Sequence, residues 1–236
     1  MSESIVERNI LTIVEPAIKL DPLEILDRES GTDNSDGEAM KDKPSLFSQL
    51  VPEIKVNGYD VSTEALNIFI LENNSFYPTL RLQFGDVDGL FTARFYPKDG
   101  DLVQVNIRSQ GDETTFKPIR IDFTIIDCKP VGGGGGAAAN QYLILGRMFV
   151  PKLFAESVEY EEDVTSFNAL LNIAEKMELG FASNVEDTAD QMTWTNPNDT
   201  TETWIQDIVA NSYLSDETFF TSYIDPYYYL TLVDVN

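Results

Sequence analysis

Apolar and polar positions alternate with a period of two through residues 51–130. In "LNIFILEN", Leu66, Ile68 and Ile70 alternate with Asn67, Phe69 and Leu71. "TLRLQFGDVDG" sets Leu80, Leu82 and Phe84 against Arg81 and Gln83, and "LVQVNIRSQGDE" sets Val103, Val105 and Ile107 against Gln104, Asn106 and Arg108. "FKPIRIDFTIIDC" does the same with Ile119, Ile121, Phe123 and Ile125 against Arg120, Asp122 and Thr124. Successive side chains of a strand point to opposite faces, so each segment predicts a strand with one buried and one wet face. Turn signals separate the strands: Asn57-Gly58 in "EIKVNGYDV", a strong hairpin signal, and Asp99-Gly100 in "PKDGD". "LFTARFYPKDGD" predicts a further strand and turn. Short strands with regular turns predict a small antiparallel barrel or sandwich. "VGGGGGAAAN" at 131–140 is expected to be a mobile loop, since five glycines are costly to order. "QYLILGRMFVP" then returns as a strand of the same β-body.

Beyond residue 155 the period changes. In "TSFNALLNIAEKMELG", Phe167, Leu170, Leu171, Ala174 and Met177 recur at helical spacing. Thr165 or Ser166 is placed to cap the N-terminus, and Gly180 suits a left-handed C-terminal position. A second helix begins in "TWTNPNDTTETWIQDI". Asp199 and Glu202 have capping-box spacing and lie at the positive end of the helix dipole. Trp204, Ile205, Ile208 and Val209 form its apolar stripe, with Trp204 docking the helix on the first. The aromatic tail "YLSDETFFTSYIDPYYYLTLVDVN" ends as a strand. Strand alternation sends Tyr227 and Tyr229 one way and Tyr228 and Leu230 the other, so one aromatic face needs covering. Phe219, Phe220, Tyr223, Tyr227, Tyr228 and Tyr229 are therefore candidate interface residues.

The N-terminal 47 residues stand apart. "LTIVEPAIKLDPLEIL" is apolar but broken by Pro16 and Pro22, and "DRESGTDNSDGEAMKDKP" is polar and free of aromatics. This reads as a flexible or extended arm with a short sticky segment and a linker. The predicted fold class is α+β: arm 1–47, a β-barrel over 48–152, and a small α+β domain with two helices over 153–236.

Charge narrows the chemistry. Forty acidic residues face sixteen basic ones, a formal charge of −24. Such a chain is poorly suited to bind nucleic acid or an anionic membrane, because both need cations. No apolar run reaches a membrane-spanning length of about 18 residues, and the N-terminus has no secretory-signal pattern, so assembly in a cytoplasm is expected. There is no histidine, which removes the common triads and most metal sites. Cys128, the one cysteine, has no internal disulfide partner and reads as a buried strand residue. "DVDGLFTAR" begins like a calcium loop at Asp86, but Gly89 falls at position four and Pro97 at position twelve, so a β-turn is expected. "EYEEDV" at 159–164 reads as a solvated face or an acidic helix start, with a calcium site as the alternative. The glycine run lacks the Gly-Lys-Ser/Thr of a phosphate loop. No cofactor, metal or catalytic residue is predicted.

In order and spacing, "VNGYDV", "NNSFYPTLRLQFGDVDGLF", "YPKDGDLVQVNIRS" and "KPIRIDFTIID" resemble the first domain of the baseplate hub proteins of large contractile-tailed bacteriophages. "VTSFNALLNIAEKMELGFASNVEDTADQMTW" and "TTETWIQDIVANSYLSDETFFTSYIDPYYYLTLVDVN" resemble the helical domain that follows. A related pattern occurs in phage late-control hubs and secretion-system spike hubs. The resemblance covers roughly residues 50–236. It implies a tail-tube-like barrel joined to an α+β domain, in a structural virion protein without an active site. It implies a homotrimer in the tail baseplate, between tail tube and central spike and beside the wedge proteins, with DNA passing through unbound. The acidic charge would let a genome slide past such a channel. Two features depart from the pattern: the arm and the glycine run are extra, and the second barrel that hubs usually carry does not follow before Asn236. Three other readings stay open. These are the spike hub of a related contractile injection machine, a β-module binding glycan or protein through exposed Tyr and Trp, and a hydrolase using paired carboxylates.

Overall fold

Asn57 and Gly58, with φ of 49° and 85°, both adopt the left-handed backbone of a primed hairpin turn. They join β2 (Leu50–Val56) to β3 (Tyr59–Val61). Around this hairpin, β4 (Leu66–Glu72), β5 (Thr79–Asp86), β6 (Leu102–Ser109), β7 (Ile119–Pro130) and β8 (Asn140–Met148) complete a seven-stranded sheet. Its order is β3-β2-β6-β7-β8-β5-β4, and every pairing is antiparallel. In this computed structural model, which describes residues 10–18, 50–98, 100–109, 117–132 and 140–236, the sheet curls into a half-barrel. Its concave core holds Val56, Leu82, Phe84, Val103, Val105, Ile121, Phe123 and Ile144, all fully buried and at alternate positions.

Alternation fails in several places, including β7, where a bulge lies between Ile125 and Asp127 and Asp122 is buried; two others reshape the core. In β4 a bulge between Leu66 and Ile68 shifts the register. The extra residue turns the strand over, so Leu66, Phe69 and Leu71 pack on the core while Ile70 is exposed. The strand expected near residues 91–96 is absent; Phe91–Phe95 form one π-helical turn. Asp86 causes it. Its carboxylate accepts the backbone N–H of Phe91 (3.2 Å) and Thr92 (2.9 Å), together with the Thr92 hydroxyl. Phe91 is thereby driven inward against Tyr59, Phe84 and Tyr142. Burial opposes ionisation of Asp86, but these hydrogen bonds outweigh it and hold the carboxyl below its usual pKa.

The remainder of the chain builds a second unit. β9 (Glu156–Val164) and β11 (Met192–Thr200) form an antiparallel ribbon. The acidic run expected to be a solvated face or helix start is thus the second half of a strand. α1 (Ser166–Lys176) is capped by Thr165, whose hydroxyl accepts the Asn168 N–H at 3.3 Å. Its left-handed C-terminal residue is Glu178 (φ 61°), not Gly180, which opens β10 (Gly180–Ser183). α2 spans Thr201–Ala210. β12 (Phe220–Ile224), β13 (Tyr229–Asp234) and β10 form a sheet of order β1-β10-β13-β12, in which β10 and β13 run parallel. β1 (Leu11–Val14) is the sticky segment of the arm, laid antiparallel on β10. The arm on either side of residues 10–18, and most of the glycine run, lie outside the described residues.

One continuous apolar cluster joins the two units, from Ile54 and Phe84 through Val150 and Leu153 to Phe167, Trp204 and Leu232. The architecture is α+β.

Candidate interaction surfaces

Several of the chemistry-bearing side chains are engaged in structure. Among the described residues, no group of three or more His, Cys, Asp or Glu is placed to hold a metal. No helix among them is long and apolar enough to cross a membrane. Cys128 is half-buried and free, and burial pushes its thiol pKa up, away from the reactive thiolate. Asp190 is a heavily bonded carboxylate. It accepts from Ser166 N (2.8 Å), Ser166 Oγ (2.7 Å), Thr188 Oγ1 (2.8 Å) and Tyr213 N (2.7 Å). It therefore ties the first turn of α1 to the segment leaving α2. Only Thr188, two residues away in "EDTAD", is a local partner; Ser166 and Tyr213 are more than twenty residues distant, so the sequence did not mark this role.

The candidate interface aromatics separate into two groups. The first belongs to the turn between β12 and β13. Asp225 Oδ1 accepts the N–H groups of Tyr227 and Tyr229, both at 2.9 Å, and Tyr228 adopts φ 66°. The Tyr228 hydroxyl accepts the Asp122 N–H of β7 at 3.0 Å. Tyr227 donates to the Lys117 carbonyl at 3.1 Å, and the Lys117 ammonium sits 4.6 Å from its ring centre. Tyr229, nearly buried, donates to Glu15 of the arm. Tyr227 and Tyr228 thus fasten the second unit to the half-barrel of the same chain. The second group lies along β12. Phe219 is 65% exposed, Tyr223 is half-buried and Phe220 is buried. With Phe76, Gln206 and Val209 they line two adjoining depressions of about 530 and 570 Å³.

The residues expected to set the start of α2 are redistributed. The cap is Thr200, one residue past Asp199; its hydroxyl accepts the Thr203 N–H at 3.3 Å. Asp199 is exposed, and its N–H donates to Asn196 Oδ1 at 2.7 Å. Asn196, buried in β11, holds the tight approach that pushes the cap one residue on. Without Asp199 as cap there is no capping box, and Glu202 instead packs beside the half-barrel. Its N–H donates to Leu153 O at 3.0 Å, and burial raises its carboxyl pKa against the opposing pull of Arg147. Arg147 lies 3.6 Å from the Phe154 ring centre, and Tyr77 meets that ring edge-on. Trp204 is buried in the common core, and Trp194 donates to Val164 O at 3.1 Å.

The β9–β11 ribbon presents an unusual outer face. Its inner face carries Glu159 and Glu161, which bracket Lys176 of α1 at 3.3 and 2.6 Å. Lys176 is the one basic residue between 153 and 236, against seventeen acids. Burial disfavours its charge, but the two glutamates more than compensate and raise its pKa. Outward point Val158, 76% exposed, and Tyr160, 66% exposed.

These features define a β-rich scaffold with exposed aromatic surfaces and two depressions beside β12. No protein-family model and no curated protein sequence matches the chain. Its fold is similar to that of the 43 kDa tail protein of prophage MuSo2 from Shewanella oneidensis. That match has a TM-score of 0.51 at 13% identity and covers 78% of this chain and 54% of the other. A tail protein from Neisseria meningitidis MC58 aligns with a TM-score of 0.47 at 11% identity, over 78% of this chain and 50% of that one. The chain spans about half the length of each of these proteins.

Proposed function

We propose that this chain is a structural virion protein of a bacteriophage tail, a baseplate hub component between tail tube and central spike. The likeness to the MuSo2 tail protein over 78% of the chain carries this reading. The order of turns and caps from "VNGYDV" onward supports it independently. Its work is positional: the chain presents surfaces to other copies of itself, in a trimer, and to tube, wedge and spike proteins, and turns over no substrate. DNA passes through the assembly without being gripped. The formal charge of −24 disfavours a grip on phosphates, even though the half-barrel face opposite the core carries Arg81 and Arg108 beside Gln83, Gln104 and Asn106.

Locating the chain in the intact particle by electron microscopy tests the proposal. The expected density is a ring at the junction of tube and spike. Density confined to the capsid, or to peripheral fibres, would overturn it. Light scattering on the purified protein is expected to give three times the 26.5 kDa chain mass.

A further inference from the structure

The arm strand β1 is held by a seat built entirely from the second unit. Leu11, Thr12 and Val14 face Ser183, Ala182 and Phe181 of β10. The N–H groups of Ala17 and Ile18 both donate to the Glu178 carbonyl at 2.9 Å, which the left-handed backbone of Glu178 presents to them. Glu15 accepts from Tyr229. Pro16 lies over Gly180, where an added Cβ would come within 2.8 Å of its ring. Val14 and Ile18 pack on the common core, yet Ile10, Leu11 and Ile13 stay 44, 63 and 43% exposed.

The seat does not depend on which copy supplies the strand. β10 is paired with β13 on one edge, and its other edge, which β1 covers, is a row of backbone donors and acceptors that the same strand of any copy can pair. Residues 19–49 separate the seated segment from β2, and a chain of that length spans up to about 100 Å when extended. A neighbour's β10 is therefore within reach, and the contacts in trans are the same as in cis. Local concentration alone then selects between them, and an oligomer raises it. Leu11 and Ile13 on this four-residue edge strand, with Ile10 just before it, form an exposed aliphatic patch on the outer side of the seat.

We propose that β1 is exchanged between copies: the arm of one chain seats on β10 of the next and ties the oligomer together. This needs only that two copies meet, and it does not rest on the hub reading, so particle microscopy and the following experiment fail independently. In full-length protein carrying Cys128→Ser, Thr12→Cys and Ala182→Cys are made as separate single variants with different tags, co-expressed and oxidised. The expected result is a disulfide between the two differently tagged chains on a non-reducing gel, and neither variant cross-linking with itself. The chain carrying both substitutions is expected to give a ladder of linked chains. No cross-link in the mixed sample, with the doubly substituted chain closing internally, would overturn the proposal; so would self-linking as abundant as the mixed product. If Ala182→Cys does not fold, Leu11→Cys with Ser183→Cys gives the same reading at the neighbouring register position. A synthetic peptide of residues 9–18 added before oxidation is expected to suppress the mixed product, and an unchanged yield would count against the seat.

Discussion

Gly180 has an ordinary backbone, and its lack of a side chain matters for space. A Cβ there would lie 2.5 Å from Tyr229 Cδ1 as well as against Pro16. Gly180→Ala is expected to cost about 1–3 kcal/mol in urea unfolding, because ring and arm must both give way. Two aspartates make opposite pH predictions. Asp86 has a lowered pKa, so its stabilising contribution is present above the unfolded value of 3.8 and lost as pH falls through the folded one. Asp86→Asn should therefore lower the thermal midpoint at pH 7, with the difference shrinking below pH 3.8. Asp225 has a raised pKa, since burial outweighs the N–H groups it accepts. Its contribution is full below 3.8 and is lost as pH rises through the folded value. Asp225→Asn keeps an oxygen for the Tyr227 and Tyr229 N–H groups while removing the buried charge. Its midpoint at pH 7 should equal or exceed that of the parent, and the gain should vanish in acid. Neither carboxylate's role was legible in the sequence: Asp86 looked like a turn residue, and its capture of the next turn is a three-dimensional event.

At the scale of elements, period-two alternation located β5, β6, β7 and β8 because each buries one face of a single curved sheet. It misassigned the facing of β4, where a bulge adds a residue, and the π-helical turn, where a polar side chain bonds backbone that a strand would have paired. The helices were legible from their stripes. Their caps were harder, since "NDTTET" offers several oxygens and only the geometry imposed by Asn196 decides among them. Thr200→Ala should destabilise the protein by about 1 kcal/mol in denaturant titration, and Asp199→Ala by clearly less. Equal losses would restore Asp199 as the cap.

At the scale of the molecule, the aromatic tail that looked like an external interface turns out to be half internal. Tyr227 and Tyr228 join the last hairpin to β7, and Phe219 and Tyr223 remain at the surface. Strand alternation does not describe these rings, because Tyr227 and Tyr228 lie in the turn before β13 and Tyr228 has φ 66°; nor could it show what lay opposite, because β7 is about a hundred residues away. Tyr228→Phe keeps the ring and removes the acceptor for the Asp122 N–H. It should cost about 1–3 kcal/mol. In hydrogen exchange the loss should appear on both sides of the junction, in β7 and in β12–β13; a change confined to the hairpin would mean the two units are not coupled through it. Charge is also distributed unevenly at this scale. The stretch from 153 to 236 has Lys176 as its one cation, already clasped by Glu159 and Glu161. Trypsin, which cuts after lysine and arginine, therefore finds a single internal bond across this whole stretch. Peptide inventories of purified particles made with trypsin will under-count this third of the chain, and a glutamate-specific protease will recover it.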